Sequence, residues 1–252
     1  MKRIDIFGAP GVGKTTILNS LIKSKKNRIW STSTEAKHKV LYDNFKKSKK
    51  NIIDYTKDTI YRLKNNRFSP SFDKDKLKKF FSNNFFKYND IINSAIEIIG
   101  NDKNIPFFIK TKRIGWLVSN LEDIVLLDNY QNDKIILFDE SLINRSLDLI
   151  ANSFYKDLNL FKKLNLPYAF IYIKLDLNNI YERLKRRKKV TLVHSRINDE
   201  ELIKQIEKDM QYSEFTFSKL QDHGIKGLVI NSLLPIDENL TNINNFILNN
   251  KN

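Results

Sequence analysis

The chain has 252 residues, with 44 Lys and Arg against 29 Asp and Glu, a formal net charge of +15. Its 41% hydrophobic and 12% aromatic content can build a core, which excludes general disorder. The absence of cysteine excludes a disulfide scaffold, a thiol nucleophile and a cysteine-ligated metal site.

The length suits one large domain, or a core domain carrying a sub-domain. The longest apolar runs, such as Ile135–Phe138 and Ala169–Ile173, are strand-sized and far below the ~18 residues a membrane helix needs. No secretory h-region follows Met1-Lys2-Arg3. The expectation is a soluble, cytoplasmic protein with no membrane partner. The positive charge would suit nucleic acid, anionic lipid or phosphorylated small molecules. Asn occurs 30 times, however, so a compositional bias toward Lys, Asn and Ile also raises the charge without a selected partner.

In chain order, Ile4-Asp5-Ile6-Phe7 reads as a strand and Gly8 to Gly13 as a glycine-rich turn. Ile17, Leu18, Leu21 and Ile22 then recur at helical spacing. Arg28-Ile29-Trp30 reads as the next strand, ending in the polar stretch Ser31 to Glu35. From about Ala36 to Asp133 the pattern is mostly helical. Ile53, Ile60 and Leu63 fit one helix; Ile91, Ile92, Ala95, Ile96 and Ile99 fit another before Gly100. Ser69-Pro70-Ser71 and Asn104-Ile105-Pro106 punctuate this segment. Ile135–Phe138 is a buried-type strand, followed by a helical stretch through Leu147 and Ile150. Tyr168–Leu175 is a strand and Leu177–Arg187 an amphipathic helix. Asn198 and Glu201 form a capping-box pattern opening the next helix. Gly227–Ile230 is the last strand, and Leu240, Ile243 and Ile247 give the closing helix its face. Such alternation implies a parallel sheet covered on both sides.

Gly8-Ala9-Pro10-Gly11-Val12-Gly13-Lys14-Thr15 matches G-x-x-x-x-G-K-[ST] in full, between a strand and a helix, and is a P-loop signature. Glycines at positive φ let consecutive N–H groups surround a polyphosphate, and the following helix points its positive end at the same anion. Lys14 reaches the β- and γ-phosphates, Thr15 offers a hydroxyl to Mg²⁺, and Thr16 stands next for the α-phosphate. A nucleoside triphosphate and Mg²⁺ are therefore the expected ligands. Asp139 and Glu140, at the C-terminal end of the Ile135–Phe138 strand, are candidate holders of the metal. Which of the two serves is open, as Asp139 or Ser141 would also cap a following helix. There is no Asn-Lys-x-Asp or Leu-Ser-Gly-Gly motif, which weighs against GTPase and ABC-type readings.

Beyond the P-loop, Ile173-Lys174-Leu175-Asp176 leads into Ile180-Tyr181-Glu182-Arg183-Leu184-Lys185-Arg186-Arg187, with Arg196 further on. Here the chain resembles the P-loop kinases of the nucleoside and nucleotide kinase group, thymidylate and deoxynucleoside kinases included. The resemblance covers residues 1–35 and 134–252. It implies a three-layer α/β fold with a five-stranded parallel sheet, helices on both faces, and a helical insertion (36–133) that binds the acceptor. It also implies a lid at about 183–198, whose Arg183, Arg186, Arg187 and Arg196 close over the transferring phosphate, arginine suiting bidentate phosphate contacts. Glu35, after the second strand, matches the family's base and hydroxyl anchor. One departure stands out: Asp139-Glu140 occupies the place of an Asp-Arg or Glu-Arg pair, and Arg145 is the nearest substitute.

The function implied is ATP-dependent phosphoryl transfer to a small molecule such as a nucleoside, nucleotide or sugar. Two alternatives are a nucleic-acid end kinase, using lysines such as Lys46, Lys47, Lys49 and Lys50 to track a backbone, and a regulatory ATPase with no acceptor. His194 reads as a surface or lid residue, and the Phe80-Phe81 and Phe85-Phe86 pairs as core. The oligomeric state is open, a homodimer included.

Overall fold

The computed structural model describes residues 2–24, 29–45, 74–101, 103, 106–130, 133–139, 143, 166–187 and 198–251. The helical expectations at Ile53–Leu63 and Leu147–Ile150 lie outside these residues. So do Lys46 to Lys50, the Ser69-Pro70-Ser71 break, Glu140, Ser141, Arg145, His194 and Arg196.

The elements run β1 (Arg3–Phe7), α1 (Lys14–Ser24), β2 (Trp30–Thr32), α2 (Ser33–Phe45), α3 (Lys74–Asn84), a 3₁₀ turn (Phe85–Tyr88) and α4 (Asn89–Asn101). Then follow α5 (Phe107–Leu127), β3 (Ile135–Phe138), β4 (Ala169–Lys174), α6 (Leu177–Lys185), α7 (Asp199–Asp222), β5 (Lys226–Asn231) and α8 (Ile236–Asn249). The strands form one sheet in the order β2-β3-β1-β4-β5, parallel at every pairing. Ile4 of the central strand lies opposite Leu137 on one side and Ala169 on the other. This is the five-stranded, helix-covered parallel sheet the sequence implies.

Side chains alternate across the sheet with the period of two that extended chains impose. Phe7, Ile136, Phe138, Phe170 and Tyr172 face a core completed by α2, α4 and α5. Ile4, Ile6, Ile135, Leu137, Ile171 and Ile173 face a second core with α1, α6 and α8. Aromatic rings fill the first: Phe7 stacks on Tyr172 at 5.1 Å, and Phe217 of α7 meets Phe170 edge-on at 5.7 Å. Arg3 and Asp5, buried on the same face as Phe7, form an ion pair of 2.7 Å. Lys37 of α2 holds Asp123 of α5 at 2.6 Å, and Val40, Leu121 and Val125 pack nearby in the same core. Where described, the segment between β2 and β3 is helical and shares its core with the sheet.

Two local features differ from the sequence pattern. β2 begins at Trp30 and extends through Ser31 and Thr32, whose polar side chains are buried; Ser31 Oγ lies 3.3 Å from the Tyr130 hydroxyl. Ser33 to Glu35 then open α2, so this polar stretch is strand end and helix start. Of the four phenylalanines assigned to the core, Phe80, Phe81 and Phe85 pack there, while Phe86 is exposed.

Candidate active site

Because every strand runs the same way, all five C-terminal ends gather at one edge of the sheet. The loop after β1, Asp139 after β3, α2 after β2, α6 after β4 and Ser232 after β5 all start there. This is the edge where open α/β sheets bind ligands.

Gly8, Gly11 and Gly13 in the loop have φ of 146°, 92° and 103°. Gly8 is doubly constrained, since a Cβ there would strike the carbonyl oxygen of Ile173 in β4. A non-glycine residue would strain the backbone and push the loop off the neighbouring strand. The Ile17 N–H donates to Gly13 O at 3.0 Å, so the helix grows directly from the loop and its N-terminal end faces the glycine turn.

Lys14 folds its ammonium back onto the loop, donating to Gly8 O at 2.6 Å and Ala9 O at 3.0 Å. Burial pulls its pKa from 10.5 down to about 8, and the nearby Arg187 charge adds to that; Asp209 and Asp139 oppose it. Lys14, Arg187, Asp139 and Asp209 therefore share one electrostatic neighbourhood. Asp209, on α7, has no recognisable sequence motif.

Thr15 and Thr16 are exposed on the first turn of α1. No cluster of three or more metal-ligating side chains occurs among the described residues. The Thr15 hydroxyl and the half-buried Asp139 carboxylate offer oxygen donors, the kind Mg²⁺ takes in small number alongside phosphate oxygens and water.

Beside the loop lies a cavity of about 580 Å³, lined by Gly11, Gly13, Thr16, Arg183, Ser232 and Asn239 among others. Leu234 and Ile236 give it an apolar wall and Arg187 stands at its side. Such a volume and mixed lining suit a small organic ligand. Sequence reasoning did not find the β5–α8 residues Ser232, Leu234, Ile236 and Asn239. Their position after the last strand of a parallel sheet was the available signal.

The four arginines of the expected lid separate. Arg183 is half-buried; its Nη1 donates to Val12 O at 3.1 Å and to Ser232 Oγ at 3.0 Å, and its Nη2 to Ser232 O at 3.3 Å. Arg186 is exposed and paired with Glu182 at 3.3 Å. Arg187 lines the cavity, and Arg196 lies outside the described residues. Glu35 stands in the first turn of α2, where its Oε2 accepts from Thr32 N at 2.9 Å while its own N–H donates to Thr32 Oγ1 at 3.2 Å. That is a reciprocal cap, and it holds the carboxylate at the C-terminal end of β2.

The sheet order and its glycine loop define a P-loop fold of the kind found in nucleoside kinases. The solved structures it is similar to include deoxyadenosine kinase from M. mycoides with bound dATP, at TM-score 0.50 and 17% identity over 98% of this chain and all of that one. The same enzyme with the products dCMP and a flexible dCDP gives 0.49 at 14% identity, covering 98% of this chain and 99% of that one. With bound dCTP it gives 0.47 at 16%, again covering 98% and 99%. No protein-family model matches the sequence, and no curated protein does. The likeness is one of fold.

Proposed function

We propose that the protein is a kinase that moves the γ-phosphoryl group of ATP to a hydroxyl of a small-molecule acceptor, a deoxynucleoside being the first to test. The observation that carries this reading is the glycine loop with Lys14 at the C-terminal edge of the sheet, opening onto a cavity large enough for a nucleoside. Similarity of fold to a deoxyadenosine kinase supports the acceptor class.

Phosphoryl transfer asks a protein mainly for positioning and charge neutralisation. In this reading the loop amides and the Lys14 ammonium grip the β- and γ-phosphates, and the cavity beside Arg183 receives the base. Thr15 and Asp139, with Glu140, would hold Mg²⁺, which would supply neutralisation of phosphate charge. Arg187, and Arg196 from the lid, stabilise charge on the transferring group. The acceptor oxygen forms a bond to phosphorus as the bond to the bridging oxygen of ADP breaks. The acceptor's proton passes to a carboxylate, with Glu35 at the end of β2 in that role. The acceptor lies toward the helices of residues 36–133.

The test is incubation with γ-labelled ATP and Mg²⁺ against separate pools of deoxynucleosides, nucleotides, sugars and oligonucleotides. Label should move into the deoxynucleoside pool with the wild type and not with Lys14→Ala. Transfer into oligonucleotides would reassign the acceptor. ATP hydrolysis that no pool stimulates would replace the kinase reading with that of an ATPase.

A further inference from the structure

Arg183 bridges two structures that a nucleotide would touch at opposite ends. One is Val12 of the phosphate loop; the other is Ser232 in the loop after β5, which walls the base cavity. The geometry points to Arg183 as a positioning residue that aims the phosphate loop, acting through a peptide plane without itself contacting phosphate. This rests on the triphosphate reading above.

A trans peptide points its C=O and the next residue's N–H in opposite directions within one plane. Drawing the Val12 carbonyl toward the Arg183 guanidinium therefore turns the Gly13 N–H the other way, away from Arg183. Gly13 at φ 103° permits that orientation, and its missing Cβ leaves room, since one would lie 3.3 Å from Arg183 Nη1. An anion-binding loop works only if its N–H groups converge before the anion arrives. The bond from charged Arg183 to Val12 O is of the strong, charge-assisted kind.

The guanidinium is itself held in place. Ser232 accepts from it twice, through Oγ and through its backbone carbonyl. The Ser232 loop is stitched from behind: Asn239, buried at the start of α8, donates its amide to Asn231 O at 3.0 Å and Leu234 O at 3.3 Å. Leu233 N donates to Asn231 Oδ1 at 3.0 Å, and Ser232 N to Lys174 O at 3.0 Å. A rigid wall thus fixes the arginine, and the arginine fixes the loop. The base wall and the phosphate cup are mechanically one unit.

The consequence is measurable with a ligand that has no base. Inorganic tripolyphosphate has no base to reach Ser232, Leu234 or Ile236, yet its affinity should depend on Arg183 and Ser232. We expect Arg183→Met to weaken tripolyphosphate binding about tenfold or more, and Ser232→Ala about threefold, by calorimetry at fixed ionic strength. Arg183→Lys, which keeps the charge but cannot bridge both partners, should stay weakened. In the Arg183→Met background, Ser232→Ala should have no further effect, because one chain of contacts is already broken. Thermal unfolding of each variant separates loss of aim from loss of fold, and the mild Ser232→Ala change carries the test if Arg183→Met does not fold. Unchanged tripolyphosphate affinity in Ser232→Ala, full rescue by Arg183→Lys, or additive effects would each overturn the positioning role. If the wild type binds neither tripolyphosphate nor ATP, the triphosphate reading itself fails.

Discussion

At the scale of single residues, Lys14 has the most consequential chemistry. Its pKa of about 8 lies below the ordinary 10.5, so the fold disfavours the charged form. The cost of holding the ammonium is therefore fully present below about pH 8 and disappears as pH rises toward 10.5. A bound triphosphate favours the ammonium and raises that pKa again. Nucleotide binding should take up a fraction of a proton near pH 8 to 9, and affinity should fall as pH rises through this window. Calorimetry in buffers of different ionisation enthalpy measures the uptake, and Lys14→Met should abolish it. Binding that neither consumes protons nor weakens in this range would place Lys14 elsewhere. Sequence identifies Lys14 by its motif, but its pKa depends on burial and on Asp209, which sits nearly two hundred residues away and in no motif.

At the scale of elements, local chemistry decides where helices begin. Asn198 Oδ1 accepts from Glu201 N at 2.9 Å and Asn198 N donates to Glu201 Oε2 at 3.1 Å, the capping box its spacing indicates. Replacing Asn198 with Ala should cost about 1 kcal/mol, read as a lowered denaturation midpoint. No change would show the cap to be redundant. The same pattern at Thr32 and Glu35 passes unnoticed in sequence, because a run of Ser and Thr after a short apolar strand resembles a loop. The strands Ile135–Phe138 and Ala169–Lys174 are legible because parallel strands buried on both faces need unbroken apolar runs. β5 is legible through Leu228 to Ile230, yet the function of the loop behind it is not. Ser232 accepts from Arg183 through its hydroxyl and its carbonyl, and the Asn239 amide holds neighbouring backbone carbonyls, contacts that no residue spacing announces. Arg183 shows the same limit: the sequence marks it as one of several basic residues, and folding gives it the bridge between Val12 and Ser232 while Arg186 pairs with Glu182 in solvent.

At the scale of the whole molecule, the described helices between β2 and β3 complete one of the sheet's two cores. Leu121 of α5 is fully buried in it, alongside Val40, Phe138 and Phe170. Leu121→Ala should destabilise the protein by about 2–5 kcal/mol and shift a single cooperative transition. A separate early transition would show that this helical region folds as an independent unit. The +15 charge is spread over a chain rich in Lys and Asn, and among the described residues no helix is long and apolar enough to cross a membrane. What unites the molecule is the common C-terminal edge of its five strands, which gathers Lys14, Asp139, Glu35, Arg183 and Ser232 from distant parts of the chain. The direct measurement is a calorimetric titration of wild type and Lys14→Ala with ATP and Mg²⁺. The wild type should bind one equivalent saturably and the variant at least about a hundredfold more weakly, with unchanged circular dichroism. Equal affinity in the two proteins, or no binding by the wild type, would contradict the account.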